Sequence, residues 1–477
     1  TRARREPRND PVQDWRQADL NPAAALDSLW QRAGLPGPAL AFASLTGAEP
    51  VFPSSFCVGT AAQATIAAAA LAACELGHAR GVPRQRVSVA MEHAAVECTG
   101  WFSVDGRVPD LWDPFSGLYR CADGWVRVHA NFAHHREGAL RLLGLEPQVA
   151  TRADAEAAML RWQAIDFETA AADSGLVAAA LRSFAQWDAT AQAQALAGQP
   201  LFSIERIGAA APLELPPLTP EQQPLEGVRV LDLTRILAGP VVGRAMASHG
   251  ADVMLVNSPH LPNIEAIADT SRGKRSTHVD LRDAAGRAAL DRLLAGAHVF
   301  IQGYRPGGLQ ALGYGPLQLA QRRPGIVCVS LSAYGNSGPW SARRGFDSLL
   351  QTAMGFNHAE GEAAGNGRPR PLPMQILDQA TGYLLAFAAC AALGRQRREG
   401  GSWHVQLSLA QTAHWLRGLG RVANGFSGPA PSPEPFLETA ASGFGELSGV
   451  RPSAQLERTP ARYPRPSVPP GHSPPHW

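Results

Sequence analysis

Apolar positions in the second half of the chain fall in short runs separated by polar stretches. Residues 228–233, 252–256, 298–302 and 326–331 are strand-length apolar runs. Between them, 239–249 carries a helix-length apolar pattern opened by Gly-Pro, with proline near the first helical position, and 283–294 carries a second. Short strands alternating with helices predict βαβ units and a parallel, Rossmann-like α/β sheet. The glycine fingerprint G-x-G-x-x-G does not follow the first strand, so no nicotinamide or flavin site is expected.

The first half patterns differently. Residues 61–79 predict an Ala-rich helix, 86–91 a short strand, and 118–128 (L-Y-R-C-A-D-G-W-V-R-V) a hairpin turning at Asp123-Gly124. Residues 155–195 read as mostly helical. This predicts a smaller α+β domain without a second nucleotide-type sheet. Pro-rich stretches at 209–227 and 427–435 punctuate the chain, and the last residues, R-P-S-V-P-P-G-H-S-P-P-H-W, exclude helix and central strand. The expected organisation is an arm and lead-in over 1–60, a helix, strand and small α+β domain over 61–208, and a linker over 209–227. A Rossmann-like domain over 228–425 and an extended segment over 426–477 complete it.

With 45% hydrophobic and 18% charged residues, the 477-residue chain is too apolar to be disordered. Its net charge of +2 offers no basic surplus for a nucleic-acid backbone. No uninterrupted run of eighteen apolar residues exists, so no membrane span is expected. The start, Thr1-Arg-Ala-Arg-Arg, is basic without an apolar stretch and reads as an arm, not a signal peptide. Cys57, Cys74, Cys98, Cys121, Cys328 and Cys390 are scattered, which predicts neither disulfides nor a zinc site and makes a reducing, cytoplasmic setting the expectation. His134-His135 with Glu137 has metal-ligand chemistry, but adjacent histidines on a helix point to different sides, so no metal is expected. Lys274 is the sole lysine among the 43 basic residues. Where arginine has replaced lysine almost everywhere, a surviving lysine hints at a place where a compact ammonium matters.

The two halves share a segment. Residues 62–74 (A-Q-A-T-I-A-A-A-A-L-A-A-C) align with 378–390 (D-Q-A-T-G-Y-L-L-A-F-A-A-C), followed in both by a Gly/Arg-rich turn and a strand. The first position differs: Asp378 stands opposite Ala62. Two readings of Asp378 are open. It can cap a helix N-terminus, or it can be a nucleophile beside Gly382, where a small residue lets substrate approach.

Six motifs then stand in order: V-L-D-L-T-R-I-L-A-G-P (230–240), R-G-K-R-S-T-H-V-D-L (272–281), Q-G-Y-R-P-G (302–307), S-A-Y-G-N-S-G-P (332–339), G-F-D (345–347) and L-D-Q-A-T-G (377–382). Together they resemble the family III CoA-transferases, the group of formyl-CoA and carnitine CoA-transferases. The resemblance implies that Asp378, in D-x-x-x-G, is the nucleophile. It implies that Ile236, Ala238, Lys274, Arg275, Tyr304 and Arg305 lie near CoA, with the three cations on its phosphates. Residues 113–208 resemble the family's small domain, which a typical member carries after the nucleophile's helix and strand. Here it comes first, as in a duplication or permutation, with one active site expected per chain. The chain departs from the family at Asn257, where an acidic residue is usual, and at Gly303, where asparagine is usual.

The implied reaction transfers CoA from an acyl-CoA to a small carboxylic acid through an aspartyl mixed anhydride and an aspartyl-CoA thioester, with no permanently bound cofactor. The 333–338 loop and backbone N–H groups near Asp378 are the expected oxyanion donors. A homodimer, or a monomer with pseudo-dimeric halves, is the expected assembly. Two alternatives remain: an acyl-CoA racemase of the same fold, which needs a second acid/base where Phe346 stands, and a non-catalytic CoA-binding protein.

Overall fold

The computed structural model describes residues 21–477; the basic arm expected at the very N-terminus lies outside the described residues. Its largest sheet has seven strands, in the order Arg275–His278, Asp252–Asn257, Arg229–Leu233, Val299–Gln302, Val327–Ser332, Ser402–Ser408 and Ser203–Gly208. The first six run parallel and the last antiparallel. Counted along the chain, the parallel strands lie in the order 3-2-1-4-5-6, that of a doubly wound α/β sheet. Each apolar run predicted as a strand is one, to within a residue or two. Such runs are buried on both faces, which is why they read as unbroken Val, Ile and Leu rather than alternating.

Helices Ala238–Ser248 and Ile376–Glu399 lie on one face of the sheet, within the main core. Ala284–Gly296 and Pro316–Arg322 cover the other through Leu290, Leu293, Leu294 and Leu319. Helix Val58–His78 packs along Ile376–Glu399. Both are apolar around nearly their whole circumference, so each must be enclosed on all sides. Either is long and apolar enough to cross a membrane, although Gln and Thr interrupt both and neither is an unbroken apolar run. The most apolar windows of the two are 94% and 100% buried inside the fold.

That enclosure redraws the expected boundaries. Residues 61–208 are not one unit. Val58–His78, Val87–Ala90 and Met91–Glu97 join the main body, and Ser203–Gly208 is the edge strand of its sheet. What remains is a small α+β unit. Its three-stranded antiparallel sheet is Gly117–Arg120, Trp125–Val128 and Ala178–Ala180, with a separate core around Tyr119, Val126, Met159 and Phe167. The strand Ala178–Ala180 interrupts the stretch expected to be helical. In the lead-in, helix Pro22–Ala33 buries Leu26, Leu29 and Trp30. The Pro-rich linker is clamped: the Arg80 guanidinium donates to the carbonyls of Pro216 and Pro224. The final segment is not simply extended either. Leu437–Ser442 and Gly445–Val450 form a hairpin on Phe102–Val104, and Gln455–Leu456 pairs with Val87–Ala90. Only beyond it does the chain run without regular structure, ending where Trp477 Nε1 donates to the Leu293 carbonyl. Both copies of the shared segment fold as helix, turn, strand and helix, but their strands belong to different sheets.

Candidate active site

In open parallel sheets, ligands bind at the carboxyl ends of the strands where strand order reverses. Here that point lies between Arg229–Leu233 and Val299–Gln302. A cavity of 390 Å³ opens there, lined by the segments leaving the first, second, fourth, fifth and sixth parallel strands and by Asp378. Five residues expected at the site are thereby brought together: Ile236, Ala238, Tyr304, Arg305 and Asp378.

Asp378 is 8% exposed. It is the third residue of its helix; the N-cap is Gln375, and no side chain caps that end. The capping reading of Asp378 therefore fails. Its N–H donates to Asp347 Oδ2 at 2.9 Å, while Gln351 Nε2 donates to Asp347 Oδ1 at 2.6 Å. Asp347 is fully buried, and burial lifts its carboxyl to about 6 against the pull of those hydrogen bonds. Burial, and then the neighbouring Asp347 charge, raise the Asp378 carboxyl well above the ordinary range. Two carboxyls so placed resist simultaneous ionisation.

Gly382 does not open a path for substrate. A Cβ there would stand 2.5 Å from Val241 Cγ1 and 2.8 Å from the Ala238 carbonyl oxygen. The glycine lets the Asp378 helix lie against helix Ala238–Ser248 and so fixes Asp378 beside Ala238. Next to Ala238 the backbone is strained: Ile236 has φ of 78°, rare for a β-branched residue and typical of functional sites.

Lys274 and Arg275 lie elsewhere. The Lys274 ammonium is enclosed under the sheet, where it donates to Asp232 Oδ2 at 2.8 Å and to the Pro240 carbonyl at 2.7 Å. Both side chains of the pair are 0% exposed, so the lysine neutralises a buried carboxylate and meets no phosphate. Arg275 pairs with Asp252 at 2.5 Å, at the amino end of that residue's strand and outside the cavity. The expected oxyanion donors change as well. Gln192 Nε2 donates to the carbonyls of Tyr334 and Ser337 and holds the glycine loop away, so that Ala333 is the one residue of 333–338 lining the cavity. The Asp378 N–H is taken by Asp347. The amino end of helix Ala238–Ser248, which carries no side-chain cap and starts in the cavity wall, is the better-placed set of donors.

Three further arginines line the cavity with Arg305: Arg235, Arg343 and Arg344. Arg343 lies 4.2 Å over the Trp340 ring. The pKa of Arg344 is lowered, first by burial and then by the nearby Arg305 charge. Among the described residues no acid is paired with Arg305 or Arg344. A pocket with four guanidiniums and one carboxylate suits a ligand carrying several negative charges. Arg235 stands inside the first motif, and Arg343-Arg344 directly precedes G-F-D, so adjacency to those motifs was the available signal. The small unit reaches the same wall: His129 stacks on Phe346 at 3.9 Å and 8°. Among the described residues no group of three or more His, Cys, Asp or Glu side chains could hold a metal ion.

These features define the class: an α/β protein whose doubly wound sheet holds an acid in a cationic switch-point cavity. Residues 225–440 match the model of CoA-transferase family III. The "Probable fatty acyl-CoA transferase Rv3272" of Mycobacterium tuberculosis is 33% identical over 238 residues, 46% of this chain and 60% of that protein. The human succinyl-CoA:glutarate CoA-transferase is 32% identical over 200 residues, 39% of this chain and 45% of its own length. A crystal structure of a CAIB/BAIF family protein from Brucella suis is 26% identical, covers 47% of this chain and 65% of that one, and has a TM-score of 0.37. The chain thus spans 60% or less of the length of these two curated relatives.

Proposed function

We propose that this chain transfers CoA from an acyl-CoA thioester to a free carboxylic acid, with Asp378 as the nucleophile. One observation carries the reading: a nearly enclosed carboxylate opens on a four-arginine cavity at the switch point of a segment that matches CoA-transferase family III. The Asp378 carboxylate attacks the thioester carbonyl and expels CoA thiolate, leaving a mixed anhydride. The thiolate attacks the aspartyl carbonyl, releases the donor acid and forms an aspartyl-CoA thioester. The acceptor carboxylate displaces the thiolate again, and the thiolate takes the acceptor's acyl carbon, which regenerates Asp378. Each step is acyl transfer through a covalent intermediate and calls for no resident cofactor. Arg305 and Arg344 meet the CoA phosphates, Ile236 and Tyr304 flank the ligand, and the first N–H groups of helix Ala238–Ser248 receive developing oxyanion charge.

Racemisation would need a second proton-transfer group facing Asp378. Phe346, at that position in the cavity wall, is stacked on His129 and has no proton to move. The decisive test is Asp378→Asn, which keeps size and hydrogen bonding but removes the nucleophile. CoA exchange between acyl-CoAs and a panel of acids should fall by several orders of magnitude while CoA binding persists. Hydroxylamine trapping should label the peptide containing Asp378. A fully active Asn variant would overturn the assignment, and α-carbon deuterium exchange without CoA transfer would favour the racemase.

A further inference from the structure

We propose that Arg235 sets the specificity of this cavity: its guanidinium holds a second carboxylate on the acyl group being transferred, so that the acids exchanged are dicarboxylic. The proposal deepens the transferase reading and rests on it. Arg235 follows the first parallel strand, Arg229–Leu233, by two residues and lines the cavity together with Asp378. It is held from two sides. One of its terminal nitrogens donates to the Pro262 carbonyl, and its guanidinium carbon lies 5.9 Å from the ring centroid of Phe132, which comes from the small unit. The side chain is thereby fixed at the seam between the small unit and the sheet.

Fixed in place, Arg235 is left without a counter-ion. Its Nε is buried and has no hydrogen-bond partner. The acids nearest to it and to Pro262 along the chain are engaged elsewhere: Asp232 with Lys274 and Glu265 with Arg107, both at 2.8 Å. Among the described residues Arg235 pairs with no acid, Asp378 included. A desolvated guanidinium without a partner is costly. In the wall of a ligand cavity, an anionic ligand that accepts from its fork of N–H donors offsets that cost.

The chemistry of the cycle says which anion. Arg343 lies on the Trp340 ring and within 3.9 Å of Glu168, so it already has an acid. Arg305 and Arg344 are the pair assigned above to the CoA phosphates. The reacting carboxylate of the substrate is no lasting partner for Arg235, because it loses its charge on becoming an anhydride and then a thioester. A carboxylate at the far end of the same molecule stays charged as free acid, as anhydride and as thioester. Donor acyl group and acceptor acid take turns in one site, so both must offer this second charge. Arg235 then keeps a partner through every step, whereas a monocarboxylic substrate leaves it bare throughout. A grip made equally in ground and transition states appears in KM.

The test compares acids that differ only at the far end. With succinyl-CoA as donor, succinate, glutarate and adipate are set against butyrate, valerate and hexanoate. At least one diacid should exceed its monocarboxylic counterpart in kcat/KM by about 10- to 100-fold, as a charged hydrogen-bonded contact allows. Arg235→Gln and Arg235→Met should erase that preference by raising the KM for the diacid, and Arg235→Lys should restore part of it. Binding of free CoA should stay within about twofold in all three variants. A preference for monocarboxylic acids in the parent, or a diacid preference that survives in Arg235→Gln, overturns the proposal. So does weakened binding of free CoA, which would put a phosphate on Arg235, and so does failure of both the Gln and Met variants to fold, which would make the residue structural. A second measurement needs no turnover. Asp378→Asn saturated with CoA presents the uncharged site that an incoming acid meets, and calorimetric titration with the three diacids should show binding that Arg235→Gln abolishes. Absence of CoA exchange with every acid would refute the transferase reading while the titration still decides this one; no diacid binding to folded Asp378→Asn overturns it.

Discussion

Replacing Lys274 separates a structural from a ligand-binding lysine. Its ammonium and the Asp232 carboxylate are both fully enclosed, 2.8 Å apart. Burial depresses the lysine, and the Asp232 charge offsets that only in part. Lys274→Met removes the cation but leaves Asp232 in the central strand with Thr234 Oγ1, at 2.5 Å, as its remaining side-chain partner. Breaking a buried pair by removing one member costs roughly 3–5 kcal/mol, because the orphaned charge stays dehydrated. The Asp232→Asn/Lys274→Met double variant removes both charges, keeps an acceptor for Thr234 and should recover most of that loss. Urea denaturation of the three proteins measures the cycle. In the folded fraction, the KM for acyl-CoA should stay within about twofold of the original, since a residue that never meets the ligand cannot change binding uniformly. Unchanged stability with a clearly raised KM would refute the reasoning and return Lys274 to the phosphates.

Gly382→Ala should cost about 1–3 kcal/mol by overpacking, because its Cβ meets both a side chain and a backbone carbonyl, and it should lower kcat as Asp378 is displaced; thermal melts and initial rates check both. Arg344→Gln should raise the KM for acyl-CoA with little change in kcat, as expected of a phosphate contact made equally in ground and transition states. Folded-state carboxyls raised above their unfolded values bind protons on folding, so Asp347 and Asp378 should lower stability as pH rises, Asp347 mainly between about 4 and 6. Urea midpoints taken across that range should show Asp347→Asn losing part of this slope, and Asp378→Asn should be more stable than the parent at neutral pH.

The strands and the place of Asp378 in the cavity wall were readable because both depend on local pattern. Doubly buried strands are apolar runs, and the aspartate sits in an ordered set of motifs. Lys274 was misplaced because its partner lies 42 residues upstream. The missed signal was Asp232 itself: an acid inside an otherwise apolar strand demands a buried cation. Arg343 and Arg344 were hidden by a chain in which arginine is the ordinary basic residue. The boundaries at 61 and 208 failed for a different reason. Composition marks Val58–His78 as apolar on every side, but the helix that covers it comes from the far end of the chain, and no local pattern names a partner.

That helix pair also has a consequence for biosynthesis. Val58–His78 leaves the ribosome about 300 residues before Ile376–Glu399, the helix that covers it. At ordinary translation rates the first helix waits roughly 15–60 s for its partner. During that interval a 21-residue segment with the length and hydropathy of a membrane span is without its native cover. Overexpression in a host short of holdase chaperones should therefore send the chain into inclusion bodies or onto membranes before Asp378 has even been synthesised.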